Sequence, residues 1–447
     1  MKFEEMKQAL IAAAQKAGIE QYEIYYQVGE SLSAETLKQE ISSFSSSVSG
    51  GVCFRCIVNG KMGYASGELM TPEAMEELVK NAVSNAGCID SEDEVFIFAG
   101  SPSYATLPPR EVKLNDAATV RDCALRLQAD NYAQDPRVAD GSQTAAISVT
   151  EETHLYNSNG LELSNRMGVN VAYVESIVRE GEEAQSSFEF AEGSNYEQLS
   201  ELPKKAVQSA LNKLGAGLVP SGKYNVVMSG KTFRDFLSTF SSVFSAKNAQ
   251  MGLSLLAGKE GQVIASECVT VVDDPMREGC PMQTAFDGEG VATARRNVIE
   301  NGVLKTLLYD LTTAKKAGVE STGNGQKHGY SSPVSISPYS FGVQAGDATQ
   351  EELFAAVGEG IYINEAKGFH AGANPVTGDF SIESAGFMIR DGKLAEPVKS
   401  FTVAGNFFDL LKQIDRLGNE IKWGLPGSLT IFGSPDVLIR DVSVAGK

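Results

Sequence analysis

Apolar residues recur at helical spacing from the start of the chain. Phe3, Met6, Leu10, Ala13 and Ala17 predict a helix over 3–17, ended by Gly18. The period then drops to two: Tyr22, Ile24, Tyr26 and Val28 alternate with polar neighbours, predicting a strand with one buried face. Further strands are expected over 35–46 and 51–65, the latter folding back at Asn59-Gly60, a pair suited to a tight hairpin. At Thr71-Pro72-Glu73 a capping hydroxyl, a proline and an early acid open a helix. Met75, Leu78, Ala82 and Val83 give it an apolar face, and Gly87 ends it.

The same order then recurs. After a polar, proline-containing stretch over 90–110 that reads as a linker, a helix is predicted over 116–133. Strands are predicted over 137–150, 153–157, 161–165, 168–179 and 186–191, and a closing helix over 196–214. Both closing helices carry an Ala-Val-x-x-Ala step, at 82–86 and 206–210, which suggests a duplicated helix–sheet–helix unit. Gly215–Gly222 marks a boundary. Beyond it, a strand at 226–228 runs into Gly230-Lys231-Thr232 and a helix expected over 232–248. Phe233, Phe236, Phe240 and Phe244 fall on one stripe of that helix and are expected to face inward. From Gln250 onward, short strands and turns dominate, including Asn301-Gly302, Asp391-Gly392 and Gly405-Asn406, with helices over 309–317 and 406–417. The fold class is α+β: an N-terminal helix–antiparallel sheet subdomain over 1–89, the linker over 90–110, a second subdomain over 111–216 and a β-rich C-terminal domain over 221–447.

Composition narrows the function. The 447 residues are 42% hydrophobic and 21% charged, an ordinary globular balance, but the net charge is −19. So acidic a chain lacks the clustered Lys and Arg that a nucleic-acid surface needs. The opening Met1–Leu10 carries acids where a signal peptide has its apolar region, and no apolar run is long enough to span a bilayer. A cytoplasmic protein without membrane or nucleic-acid partners is expected. Among the six cysteines, Cys53 and Cys56 have CxxC spacing, but on a strand a separation of three places the thiols on opposite faces. Ordinary buried thiols are expected there.

Candidate chemistry is sparse. The three histidines, His154, His328 and His370, include no pair at HExxH spacing, so no single segment builds a zinc site; one assembled from all three is the remaining histidine option. Asp273, Asp274, Asp287 and Glu289 could work as acid–base pairs or hold a hard cation. Their flanking Pro275, Gly288 and Gly290 favour turn carboxylates that cap backbone amides. Gly230-Lys231-Thr232 resembles part of a phosphate-binding loop, but Asn225 stands where that motif needs glycine, which leaves a helix start. No catalytic residue is assigned.

The stretch Gly368–Gly386 is unlike core sequence: a polar, glycine-hinged loop between strands, the usual mounting for a site. Within it His370, Asn374 and Asp379 are candidate substrate- or partner-binding residues, since together they offer the donors and acceptors that a peptide backbone requires. Gly372 and Gly378 are candidates for close backbone approach. The alternative is that Asn374-Pro375 and Asp379 only fix turns.

Several runs carry a family resemblance: 254–275 (SLLAGKEGQVIASECVTVVDDP), 286–318 (FDGEGVATARRNVIENGVLKTLLYDLTTAKKAG), 321–325 (STGNG) and 369–406 (FHAGANPVTGDFSIESAGFMIRDGKLAEPVKSFTVAGN). They resemble the TldD/PmbA family, and within it the PmbA branch, also called TldE. The resemblance covers essentially the whole chain. It implies a subunit of a two-subunit, zinc-dependent metallopeptidase of the bacterial cytoplasm, acting in proteolysis of unfolded peptides and in maturation of some peptide antibiotics. The family's legacy label, modulator of DNA gyrase, sits badly with the acidic charge.

In the TldD branch a helix carries HExxxH, and a cysteine near the C-terminus supplies another zinc ligand. Alignment on Val271-Val272-Asp273-Asp274 places that helix at Leu237–Ser242, which reads LSTFSS, and Lys422-Trp423-Gly424-Leu425 passes without a cysteine. The resemblance therefore implies a non-catalytic subunit with no metal of its own. It would form a heterodimer with a TldD-like zinc-bearing partner, or else a homodimer, and bind an extended peptide by strand addition. Rival readings are a stand-alone peptide-binding or assembly protein, and an enzyme with a metal site the sequence does not advertise.

Overall fold

The computed structural model describes residues 3–90, 94–108 and 112–447. Helix α1 (Phe3–Lys16) buries Met6 and Leu10, and the segments of period two become the long strands β1 (Tyr22–Leu37), β2 (Glu40–Val58) and β3 (Lys61–Gly67). Helix α2 (Pro72–Ala86) is capped as its sequence predicts, Thr71 Oγ1 accepting from the Ala74 amide. The order repeats as α3 (Ala117–Gln134), β4 (Gln143–Asn157), β5 (Glu162–Glu180), β6 (Glu183–Glu192), α4 (Tyr196–Leu199) and α5 (Leu202–Leu211). The six strands form one antiparallel sheet, ordered β3-β2-β1-β4-β5-β6, so the first strands of the two repeats pair at its centre.

The strands expected over 35–46 and 51–65 differ from those observed. The chain reverses between β1 and β2 at Lys38-Gln39, both in the left-handed region (φ 52° and 62°). That is hairpin geometry without the glycine or asparagine that would announce it. At Asn59-Gly60, by contrast, both residues have positive φ and the turn falls where expected. The pairs of strands expected over 137–157 and 161–179 are continuous as β4 and β5.

Both faces of this sheet are covered. On one, Ile24, Phe54 and Cys56 pack against Met6, Leu10, Met75 and Leu78, and Ala172 and Val174 pack against Val120 and Leu127. On the other, Tyr25, Cys53 and Leu155 meet Phe286, and Met167, Val169 and Val171 meet Cys280, Met282 and Ile431 from the C-terminal half. The polar face expected for β1 is thus partly dry, and Glu23 is only 1% exposed. Cys53 and Cys56 lie in different clusters on opposite faces, both buried. Residues 94–108 have no helix or strand, yet Asn157 Nδ2 donates to Phe98 O (2.7 Å) and the Tyr104 hydroxyl to Gly290 O (2.7 Å). Residues 91–93 and 109–110 of the expected linker lie outside the described residues.

The C-terminal half begins with β7 (Gly222–Met228), α6 (Gly230–Phe240), a 3-10 turn at Ser241–Phe244 and α7 (Ala246–Gln250). One helix was expected over 232–248. It breaks because Ser245 takes an extended conformation and caps α7 with its side chain. There follow β8 (Val271–Asp274), β9 (Arg296–Glu300), β10 (Val303–Leu304), α8 (Leu311–Ala317), β11 (Gly325–Gln326), β12 (Ser335–Ile336) and β13 (Ser340–Val343). Next come α9 (Gln350–Val357), β14 (Gly360–Lys367), α10 (Phe369–Gly372), β15 (Asp379–Arg390) and β16 (Lys393–Asn406). The chain closes through α11 (Phe407–Lys412), β17 (Ile414–Leu417), β18 (Lys422–Trp423), β19 (Ile431–Ser434) and β20 (Val437–Ala445).

Two six-stranded sheets result, ordered β10-β9-β8-β13-β19-β18 and β16-β15-β14-β7-β20-β17; an added β16–β20 pairing closes five strands of the latter into a ring. The α6 phenylalanines, with Val271 and Phe341 of one sheet and Ile361 and Val403 of the other, form one large core. Gly405-Asn406 is not a turn: Gly405 pairs with Phe380 inside the sheet and Asn406 caps α11, while 414–417 is strand, not helix. Helix α9 went unpredicted although Thr349 and Glu352 form a capping box at its start.

Candidate functional site

Three segments singled out by sequence meet around α6. Its start is capped: Ser229 Oγ accepts from the Thr232 amide (3.2 Å) and Asp436 Oδ1 from the Gly230 amide (2.7 Å). A Cβ on Gly230 would lie 2.3 Å from Ser434 O, so the glycine serves close packing. Gly230-Lys231-Thr232 is thus a capped helix start. Phe233, Phe236, Phe240 and Phe244 are buried. Phe236 presents edge contacts to Phe369 (4.9 Å, 89°) and Phe380 (5.0 Å, 79°), and Phe240 stacks on Phe407 (4.5 Å, 9°). Leu237 is buried, whereas Ser238 and Ser242 are exposed. Arg234 Nη1 donates to Trp423 O (2.7 Å), holding the 422–425 segment against the helix.

The glycine-hinged loop rests on that helix through Phe369 and Phe380. His370 lies on α10, exposed. Asn374 Oδ1 accepts from the amides of Val376 (3.0 Å) and Thr377 (3.3 Å), closing a turn, and Asp379 Oδ1 accepts from Asn406 Nδ2 (3.0 Å). Hydrogen bonds from Asn406 and Thr377 hold the Asp379 carboxyl below its usual pKa. A Cβ on Gly372 would stand 2.4 Å from Ser381 O. Gly378 has φ +82°, and a Cβ there would meet Phe408 at 2.8 Å. The close approaches are therefore to the chain's own backbone and side chains. Asn374, Asp379 and Gly372 line a shallow depression of about 540 Å³; His370 and Gly378 stand outside its lining.

The acidic group is mostly buried and engaged. Asp273 accepts from Asn324 Nδ2 and the Tyr339 amide (both 2.7 Å), and burial raises its pKa to about 6. Asp287 accepts from the Glu289, Val291 and Gly325 amides (2.9 Å each). Asp274 Oδ1 accepts from the Met276 amide (3.0 Å). Glu289 accepts from the Leu311 amide (2.9 Å), and its pKa is raised by burial and then by the Asp287 charge. Three of the four thus cap loops, and Glu289 also faces a cavity of about 730 Å³ between the N-terminal sheet and the C-terminal half.

That cavity joins Cys53 of β2, expected as an ordinary buried thiol, to Arg55 of β2 and Lys327, which no sequence motif singled out. Arg55 pairs with Glu23 directly across the β1–β2 ladder (Nε–Oε1 2.8 Å, Nη2–Oε2 2.9 Å). A charge in each of two otherwise apolar strand segments, YEIYY and VCFRCIV, was the available signal. His154 stacks on Phe3 (4.1 Å) and lies 2.6 Å from Glu152, His328 is near Ser337 Oγ (3.4 Å), and His370 is on α10. Among the described residues, no three His, Cys, Asp or Glu side chains converge as a metal-binding group.

Comparison with known proteins gives consistent matches along the chain. Models described as PmbA/TldA metallopeptidase domain 1, central domain and C-terminal domain match residues 22–86, 107–214 and 221–446. An uncharacterized protein of Methanocaldococcus jannaschii is 31% identical over 416 residues, covering 90% of this chain and 92% of that protein. A solved Thermotoga maritima structure, described as a modulator of a DNA gyrase, superposes with TM-score 0.87 at 30% identity, covering 99% of this chain and 100% of the other. Thermococcus kodakarensis TldE superposes with TM-score 0.89 at 24% identity over 99% and 100% of the two chains.

Proposed function

Because the chain belongs to the PmbA/TldD metallopeptidase family, we propose that it is the family's non-catalytic subunit, which completes a peptide-binding chamber with a TldD-like zinc-bearing partner. The observation that carries this reading is the α6 face. Where the TldD branch presents HExxxH, this chain presents Leu237, Ser238 and Ser242, an alkyl group and two hydroxyls. Zinc in proteins is held by thiolate, imidazole and carboxylate, so these residues do not fit the metal. The 422–425 segment, compared with the cysteine-bearing one, lies against the same helix and supplies Lys422, Trp423, Gly424 and Leu425. No hydrolytic step is routed through this chain.

The 368–379 loop borders this place and supports a role in the shared cleft. All three side chains are exposed, but Asn374 and Asp379 are engaged in the chain's own turns, which leaves His370 as the favoured member to meet peptide or partner backbone. Peptide recognition through backbone hydrogen bonds would tolerate varied side chains. The acidic net charge fits this reading better than action on DNA. The test is reconstitution with an HExxxH-bearing family chain. Mixing should give a defined heteromeric complex on sizing with light scattering, and cleavage of an unfolded peptide that the purified chain alone does not support. Failure of the two chains to associate would remove the subunit reading and favour a stand-alone peptide-binding protein.

A further inference from the structure

The cavity between β2 and the C-terminal half carries an assignment that the zinc question leaves untouched. We infer that it receives the terminal carboxylate of a peptide, with Lys327 as its counter-charge. This takes from the proposed function only that the ligand is a peptide.

Lys327 is threaded into the cavity past the C-terminal half's own backbone. Its stem passes Gly288, where a Cβ would come within 2.8 Å of Lys327 Cγ, so a side chain at 288 would obstruct that path. Its ammonium lies 4.6 Å from the centroid of the Tyr25 ring and lines the cavity beside Cys53 and Arg55. An aromatic face stabilises a cation but does not neutralise it. Lys327 has a side-chain hydrogen bond with Cys53, but among the described residues no carboxylate lies within ion-pair distance of it. Glu23, the sheet acid whose charge acts on Lys327, is held by Arg55 through two contacts of 2.8 and 2.9 Å. Glu289 is occupied by the Leu311 amide, and burial beside Asp287 favours its neutral form. Burial likewise lowers the pKa of Lys327, the cost of holding an ammonium out of water without a matched anion.

Lys247 of α7 and Lys316 of α8 also line the cavity. Four basic side chains and two acids line the cavity of a chain whose net charge is −19; Arg55 is already paired with Glu23, and the acids Glu289 and Asp310 accept from the Leu311 and Thr313 amides, which leaves the Lys327 ammonium as the charge to be matched. The ligand is therefore anionic where it meets Lys327. Met62, Met251 and Val334 supply apolar wall beside it, which suits a residue whose carboxylate and apolar side chain are both to be placed. At about 730 Å³ the space is of the size that ordinarily holds a small organic ligand. A group of a few residues fits; a folded chain does not.

The experiment uses the full chain and two fluorescent pentapeptides of identical apolar sequence, N-terminally labelled, one a C-terminal acid and the other its amide. Fluorescence anisotropy should show the acid binding at least about tenfold more tightly than the amide, with the preference shrinking as salt is raised. Lys327→Met should bring the acid down to the level of the amide, while Lys327→Arg should keep the preference. Val334→Trp, which fills the cavity without touching the charge, should weaken both peptides. It keeps the test available should Lys327→Met fail to fold. Equal binding of acid and amide, a preference that survives in Lys327→Met, or no binding of either would overturn the assignment. None of these results bears on association with a zinc-bearing partner, so the subunit reading stands or falls separately.

Discussion

Truncating Phe236 tests the link between the α6 face and the loop above it. The side chain is 1% exposed and touches two further rings at 4.9 and 5.0 Å, one at either end of the 369–380 segment. Phe236→Ala removes a full aromatic group from a closed core, a change that typically costs about 3–5 kcal/mol once the residual cavity is included. Phe236→Leu keeps most of the apolar volume but loses both edge contacts, worth about 0.5–1.5 kcal/mol each, so it should cost about 1–3 kcal/mol. For a unit of this size each kcal/mol moves the thermal midpoint by about 2–4 °C, giving a drop of roughly 6–20 °C for alanine. Thermal unfolding by circular dichroism measures it. Hydrogen exchange adds a local readout: amides of 369–380 should lose protection even where the rest of the sheet keeps it. An unmoved midpoint together with unchanged exchange over the loop would refute the packing described.

Other expectations concern the loop and the buried acids. His370→Ala should leave the thermal midpoint within about 2 °C, being an exposed substitution, and lower peptide turnover or partner affinity in the reconstituted complex; normal turnover would place the cleft elsewhere. Asn374→Ala removes the acceptor of two amide hydrogen bonds and should cost about 1–2 kcal/mol, read from a urea titration, so a stability-neutral variant would show the turn holds without it. For Glu289 the folded pKa is raised, so the native state keeps its proton to higher pH than the unfolded chain. Stability is therefore lost as pH climbs from the ordinary glutamate value of about 4.3 through the raised one. Glu289→Gln, which retains an acceptor for the Leu311 amide, should gain over the parent protein progressively between about pH 5 and about pH 8, by at most about 1.4 kcal/mol per pH unit, and not below about pH 4. A pH-independent difference would mean that Glu289 titrates normally.

What could be read from sequence followed the strength of the local signal. The stripe of α6 and the 3-10 turn after it was legible because four phenylalanines at helical spacing have one way to be buried, and all four are. Asn59-Gly60, Asn301-Gly302 and Asp391-Gly392 were legible because positive φ is cheap for those residues, and each takes it. Lys38-Gln39 adopts the same geometry with side chains that do not advertise it, so the β1–β2 register was lost. With that register went the Glu23–Arg55 pair and the cavity beside it, which also needs Lys327 from much later in the chain. The 368–386 stretch was recognised as a mounted loop. That its glycines and Asn374 would spend their special chemistry on the chain's own backbone depends on contacts with Ser381 and Asn406 that no local pattern encodes.

Metal analysis of the purified chain decides whether it carries zinc chemistry of its own. Zinc would be measured per mole after gel filtration, and cleavage of an unfolded peptide followed with and without chelator, since removing a catalytic zinc removes the activated water. Well under about 0.1 zinc per chain and no cleavage are expected, with chelator-sensitive hydrolysis appearing only when a TldD-like partner is added. About one tightly held zinc per chain, with chelator-sensitive cleavage by the chain alone, would contradict the non-catalytic reading.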